Sequence, residues 1–109
     1  MQVYSSNYRY NGADRLDVTM KTNNSLGKAL NPGSWDLVMG YKNGKISEEQ
    51  YIEKYIKRLN EAHPIVWDEL GKYSRVTLVC FCRPGDFCHR VLLAKYLEEK
   101  LGANYRGEI

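Results

Sequence analysis

The sequence contains little that would commit the chain to a membrane, an oxidising compartment or a nucleic acid. No apolar run in it approaches the roughly 18 residues that a membrane helix requires. The opening Met-Gln-Val-Tyr-Ser-Ser-Asn has no basic region followed by an apolar stretch, so no secretory signal is expected and a cytoplasmic location is. There are 3 Cys, all between Cys80 and Cys88. An odd number clustered so tightly is not a disulfide framework, and in a chain without a signal these are read as reduced thiols. Charge of one sign is also scarce: 16 basic against 13 acidic residues leave a net charge of +3. That balance is too mild to indicate nucleic acid, no recognition motif is present, and nucleic acid is not an expected partner. The 3 Pro and 9 Gly form no low-complexity segment, and no internal repeat is visible.

What is present is ordinary globular composition, 43% hydrophobic and 27% charged over 109 residues. That is enough for one modest core and a single α/β domain spanning residues 1–109. Nine tyrosines are a high count, read mainly as packing residues with a polar tip.

The pattern along the chain predicts strands separated by helices. Gln2 to Tyr4 begins a strand and Ser5-Ser6-Asn7 reads as turn chemistry. Asn11-Gly12 reads as a second turn, and Arg15 to Met20 alternates as a strand with one wet face. Residues 21–34, rich in Asn, Gly and Ser, predict an irregular loop. Ser34 caps a short helix from Trp35 to Tyr41 that Asn43-Gly44 stops. Ser47-Glu48-Glu49-Gln50 is a capping box, and the helix it opens carries Tyr51, Ile52, Tyr55, Ile56 and Leu59 on one stripe. His63-Pro64 ends that helix, with His63 at the surface, and Ile65 to Leu70 forms another turn or two closed by Gly71. Val76 to Phe81 is a short apolar run, read as a strand buried on both faces. Val91 to Leu101 is a strong helix with Gly102 as its stop. The tail from Tyr105 to Ile109 adds an edge strand or covers a cleft. The fold predicted is a small three-layer Rossmann-like α/β domain, its short, mostly parallel sheet flanked by helices. In such folds ligands bind beyond the carboxyl ends of the strands.

The chemistry concentrates in Cys80-Phe-Cys82-Arg83-Pro-Gly-Asp86-Phe-Cys88-His89-Arg90, the turn from the last buried strand into the last helix. If the strand persists to Cys82, Cys80 and Cys82 share a face. Cys88, His89 and Arg90 fall at a helix N-terminus, where free N–H groups and the dipole favour an anion. Arg90 and Arg83 would add a bidentate clamp for phosphate or carboxylate, and a thiol beside such groups has a lowered pKa. The loop with Ser5, Ser6 and Asn7 would face this turn across the cleft.

That run, followed by Val-Leu-Leu-Ala, resembles the signature of the domain of unknown function 488 family. The opening Val3-Tyr4-Ser5-Ser6-Asn7 and the segment from Trp35 through Tyr41-Lys42-Asn-Gly-Lys-Ile-Ser-Glu-Glu-Gln-Tyr51 resemble the same family. The resemblance implies a compact α/β domain with a pocket around the cysteine-histidine-arginine segment, and it leaves the reaction open. Cys82 departs from the family pattern, which often has an acidic or other residue there.

The leading expectation is a small-ligand binding domain that takes a nucleotide or other phosphate-bearing ligand at the start of the last helix, to sense or sequester it. Ser5, Ser6, Asn7, Arg83, Cys88, His89 and Arg90 would line the site, with a tyrosine or Trp35 stacking a base. The structural counterpart is that Arg90 pairs with a carboxylate such as Asp86 or Glu108, that Cys80 is core packing, and that His89 caps or bonds a backbone carbonyl. An enzyme acting on a nucleotide-like substrate is the alternative. In one form Cys88 is the nucleophile with His89 beside it, although the spacing does not match the phosphatase loop. In the other, a carboxylate such as Asp17, Asp86 or Glu108 assists hydrolysis of a nucleoside bond. No cofactor is expected; the alternative is zinc on Cys80, Cys82, Cys88 and His89, in an irregular spacing. The oligomeric state is left open.

Overall fold

The computed structural model of the protein describes residues 1–81 and 89–109. In chain order the elements are β1 (Gln2–Asn7), β2 (Arg15–Asp17), α1 (Ser25–Leu30), α2 (Trp35–Lys42), α3 (Glu48–Asn60), α4 (Pro64–Leu70), β3 (Arg75–Cys80), α5 (His89–Leu101) and β4 (Asn104–Glu108). The four strands form one sheet in the order β2-β3-β1-β4, and every pairing is parallel. This is a small Rossmann-like α/β domain, as its alternating strand and helix patterns predict.

Local signals act where they are strong. Ser47 and Gln50 close the capping box of α3 from both sides, at 3.1 and 2.8 Å. Tyr51, Tyr55 and Leu59 make its buried stripe. His63 accepts a hydrogen bond from the Ile65 N–H and so caps α4, with Pro64 in the first turn where its missing N–H costs nothing. Gly102, at φ 66°, ends α5 and turns the chain into β4.

Three expectations are corrected by the structure. Ser5-Ser6-Asn7 is not a turn: β1 runs on through Asn7, because β3 pairs with it as far as Asn7. Here ladder hydrogen bonds outweigh the turn preference of three small polar residues. Residues 21–34 are not wholly irregular, since α1 lies within them. Asn24 caps it by accepting from the Gly27 N–H at 3.0 Å, and burial of Leu30 holds it down. β2 is also shorter than the alternating segment from Arg15 to Met20.

The two faces of the sheet are served differently. Val3, Leu16, Val76 and Leu78 join Leu93, Ala94 and Leu97 of α5 in the core, so α5 covers that face. Helices α3 and α5 pack together, as do α2 with α3 and α1 with α4. The opposite face carries Thr77, whose hydroxyl donates to Asp14 at 2.5 Å. Asp14 also accepts from Tyr10 Oη and from Arg75 Nε, at 2.5 and 2.8 Å. Segment 8–14 is thus stitched across this face.

Burial alone would raise the Asp14 pKa, but the three donors outweigh it and bring it down from 3.8 to about 2. Because the folded value lies below the unfolded one, this stabilisation is complete above about pH 4 and is lost as pH falls toward 2. Asp14→Asn should therefore destabilise the protein at neutral pH, by about 1 kcal/mol after solvent screening. The deficit should vanish near pH 2 in urea titrations of the two proteins. An equal deficit at both ends of that range would show that the carboxylate charge has no part in it.

Candidate functional site

The topology marks a place for a ligand crevice, the carboxyl edge shared by β1 and β3. After β1 the chain leaves along the Thr77 face, where Asp14 is bonded, and after β3 it continues into α5 on the other face. β1 and β3 are neighbours whose onward connections diverge, and ligands in open α/β sheets bind at such switch points, beyond the carboxyl ends of the strands. Asn7 and Cys80 are register partners at that edge.

A partly buried polar cluster lies beside it. Arg90, one residue into α5, is fully buried and holds Glu108 of β4 with two hydrogen bonds, Nε to Oε1 at 2.9 Å and Nη2 to Oε2 at 3.1 Å. Its Nη1 donates to Cys80 Sγ at 2.9 Å. Ser5 Oγ donates to the same Glu108 oxygen at 2.5 Å and lies 2.5 Å from Tyr105 Oη. Burial works to raise the Glu108 pKa, but the hydrogen bonds from Arg90 and Ser5 and the Arg90 charge prevail, and the carboxyl is held below its usual range. Glu108 keeps 28% of its side-chain surface exposed, whereas Arg90 keeps almost none.

His89 opens α5 and is buried, with Nε2 2.6 Å from the Val18 carbonyl. A carbonyl only accepts, so Nε2 carries the proton and the neutral ring is the Nε2–H tautomer. Burial lowers the His89 pKa below 6.5, and the neighbouring Arg90 charge adds to this; Cys80 and the Val18 carbonyl pull the other way without prevailing. The positive end of α5 also disfavours an imidazolium there. The unfolded chain therefore binds the extra proton first. Stability is complete above about pH 6.5 and declines as pH falls below it. Between about pH 6.5 and 5 the melting temperature of the wild type should fall, and that of His89→Gln, which stays neutral, should fall less. Parallel slopes for the two proteins would sink this account.

The predicted residues are only partly brought together. Ser5, Asn7, Cys80, His89 and Arg90 lie at one edge of the sheet. Ser6 sits one residue out of phase with Ser5, on the other face, and its Oγ donates to the Ile109 carbonyl at 2.8 Å. Asn7 is exposed, and its side chain accepts from the Arg9 N–H at 2.9 Å. Arg90 takes a carboxylate partner, and that partner is Glu108. Cys80 is buried, as expected of a strand cysteine, but its sulfur meets a guanidinium instead of joining the apolar cluster. The expectations for Arg83, Asp86, Cys82 and Cys88 lie outside the described residues, and with them the zinc set. Among the described residues no group of three or more His, Cys, Asp or Glu could hold a metal. Trp35 lies exposed on α2, and Asp17 lies on β2, where its carboxylate accepts from the Thr19 N–H at 2.9 Å. Tyr105 belongs to the cluster and carries no sequence signal beyond the alternation of β4.

Fold and site together define a small parallel α/β domain with an ion pair, buried on its arginine side and partly exposed on its carboxylate side, near the carboxyl edge of its sheet. The chain belongs to the DUF488 family: residues 5–101 match DUF488-N3a, described as the active DUF488-N3 subclade. Glu108 lies beyond the matched span. No curated protein and no solved structure matched the chain. No helix among the described residues is long and apolar enough to cross a membrane.

Proposed function

We propose that this domain binds a small anionic ligand, a nucleotide or another phosphate-bearing molecule, at the switch crevice between β1 and β3. The observation that carries this reading is the anchoring of the first turn of α5 at that crevice. Arg90 is held in place by Glu108 and Cys80, and His89 by the Val18 carbonyl. The partial positive charge of a helix N-terminus is thereby fixed where a ligand would arrive, in a setting that favours an anion. Since Glu108 neutralises Arg90, the arginine acts as a positioning residue, and the helix end with its N–H groups supplies the attraction. Asn7, exposed at the end of β1, offers a further polar contact, while Ser5 is fully buried and helps to hold Glu108.

The test is thermal unfolding in the presence of nucleoside mono-, di- and triphosphates and of inorganic phosphate. A compound present at about 100 times its Kd should add about 2.7 kcal/mol of stability, a shift of more than 10 °C for a domain of this size. Asn7→Ala, which removes an exposed side chain at the strand end, should weaken the same compound. If no phosphate-bearing compound raises the melting temperature at millimolar concentration, the reading is wrong.

A second reading, turnover of a nucleotide-like substrate, is favoured by Glu108 and by the description of the matched subclade as active. A partly exposed carboxylate held ionised by Arg90 and Ser5 is poorly suited to give up a proton. It suits the stabilisation of positive charge that develops on a sugar when water displaces the base at the glycosidic carbon, the sugar keeping the hydroxyl and the base leaving with the proton. On this reading Glu108→Gln binds the nucleotide and releases no base, while the wild type releases it.

A further inference from the structure

The first residues beyond the two strands that flank the crevice are both aromatic. Tyr8 follows β1 and Phe81 follows β3. Their rings are stacked, with centroids 4.4 Å apart and planes 28° from parallel. The Arg15 guanidinium lies over the Tyr8 ring at 4.6 Å, and its Nε is tied to the Tyr10 carbonyl at 2.8 Å and its Nη2 to the Tyr8 carbonyl at 3.2 Å. Two groups this close to one ring cannot share a face of it. Tyr8 is therefore enclosed between a cation and Phe81, and the outer face of the stack belongs to Phe81.

That face is open: Phe81 is 60% exposed. Large apolar groups left open singly need no explanation, but this one differs in two respects. It is braced from behind by a second ring and a hydrogen-bonded cation, which hold its plane in place. It also stands at the mouth of the crevice that the topology alone designates for a ligand. A flat, braced ring beside an anion site is what recognition of a planar heterocycle requires, because stacking accepts any base through its π face.

We infer that Phe81 is the stacking platform for the base of the ligand, with Tyr8 and Arg15 as the residues that position it. The inference rests on the crevice being a ligand site and extends it by naming the ligand as a nucleoside derivative. The base lies on Phe81 and the phosphate points toward the start of α5.

The experiment compares calorimetric affinities of the full chain for four nucleoside 5′-monophosphates, the four nucleosides and ribose 5-phosphate, in wild type, Phe81→Ala and Phe81→Trp. Because Phe81 is exposed, its truncation removes little from the core, and unchanged circular dichroism would verify the fold. At least one monophosphate should bind about tenfold more tightly than ribose 5-phosphate. Phe81→Ala should erase that advantage while leaving ribose 5-phosphate within about twofold of wild type, and Phe81→Trp should keep it. Monophosphates that bind no better than ribose 5-phosphate, or an alanine variant that weakens both alike or neither, would overturn the platform and leave the anion site standing. Nucleosides that bind in a Phe81-dependent way with no gain from phosphate would keep the platform and overturn the anion site. No binding by any of the probes would overturn both.

Discussion

Replacing Arg90 with methionine should lower the melting temperature by about 15 °C, equivalent to roughly 3 kcal/mol for a domain of this length. The side chain is fully buried, and its guanidinium reaches Glu108 through two hydrogen bonds and Cys80 through a third. Methionine fills much of the same volume but leaves the Glu108 carboxylate without its cation. Ser5 still donates to that carboxylate and 28% of the side chain meets solvent, so the loss should fall near the lower end of the range for breaking a buried pair. Replacing both partners, as Arg90→Met with Glu108→Leu, should cost clearly less than the sum of the single substitutions, because no lone charge remains. A change of only a degree or two for Arg90→Met would mean that the ion pair contributes little. Strict additivity in the double variant would mean that the two residues are not coupled. The same reasoning explains why a loss of ligand binding in an Arg90 variant says nothing direct about contact with ligand, and why Asn7 and Phe81 are better probes of the crevice.

Gly27→Ala should destabilise the domain by about 3 kcal/mol, against what helix propensity suggests. Gly27 lies inside α1, where alanine is ordinarily preferred by about 1 kcal/mol. A Cβ built there would stand 1.9 Å from the Asp17 carbonyl oxygen and 3.1 Å from Thr22 Cγ2. The obstacle at 1.9 Å is backbone of β2 and cannot rotate away, so α1 must lift from the sheet edge. Packing therefore outweighs propensity. Gly40 in α2 is the control. Its Cβ would meet nothing closer than Ile46 Cγ1 at 3.6 Å, an ordinary contact. Gly40→Ala should stabilise by about 0.5–1 kcal/mol and raise the melting temperature by a few degrees. Urea unfolding of the two variants checks both signs at once, and stabilisation of both would show that the close approach of α1 to β2 is not tight in solution.

The elements legible in the sequence are those whose information is local. The capping box of α3, its Tyr51-Tyr55-Leu59 stripe, the stop at Gly102 and the buried run of β3 each depend on residues a few positions apart. Helix period and cap chemistry are satisfied within a turn or two, so the pattern of strand and helix follows, and with it a parallel α/β domain with its chemistry near the start of α5. The strand character of Ser5 to Asn7 was not legible, because it comes from β3 and β4, whose residues lie about seventy and a hundred positions away. The helix at Ser25–Leu30 was obscured for the same kind of reason: its polar, glycine-containing sequence gains its stability from burial of Leu30 and close approach to β2. The partner of Arg90 could be narrowed to a carboxylate by chemistry, but only the pairing of β4 with β1 selects Glu108 and brings Ser5 to it across 103 residues. Likewise Tyr8 and Phe81 carry no mark of a pair until two parallel strands end side by side. Local rules are written in neighbouring residues, whereas a long-range contact is selected by whichever arrangement buries and satisfies the most groups at once, and that choice exists only in three dimensions.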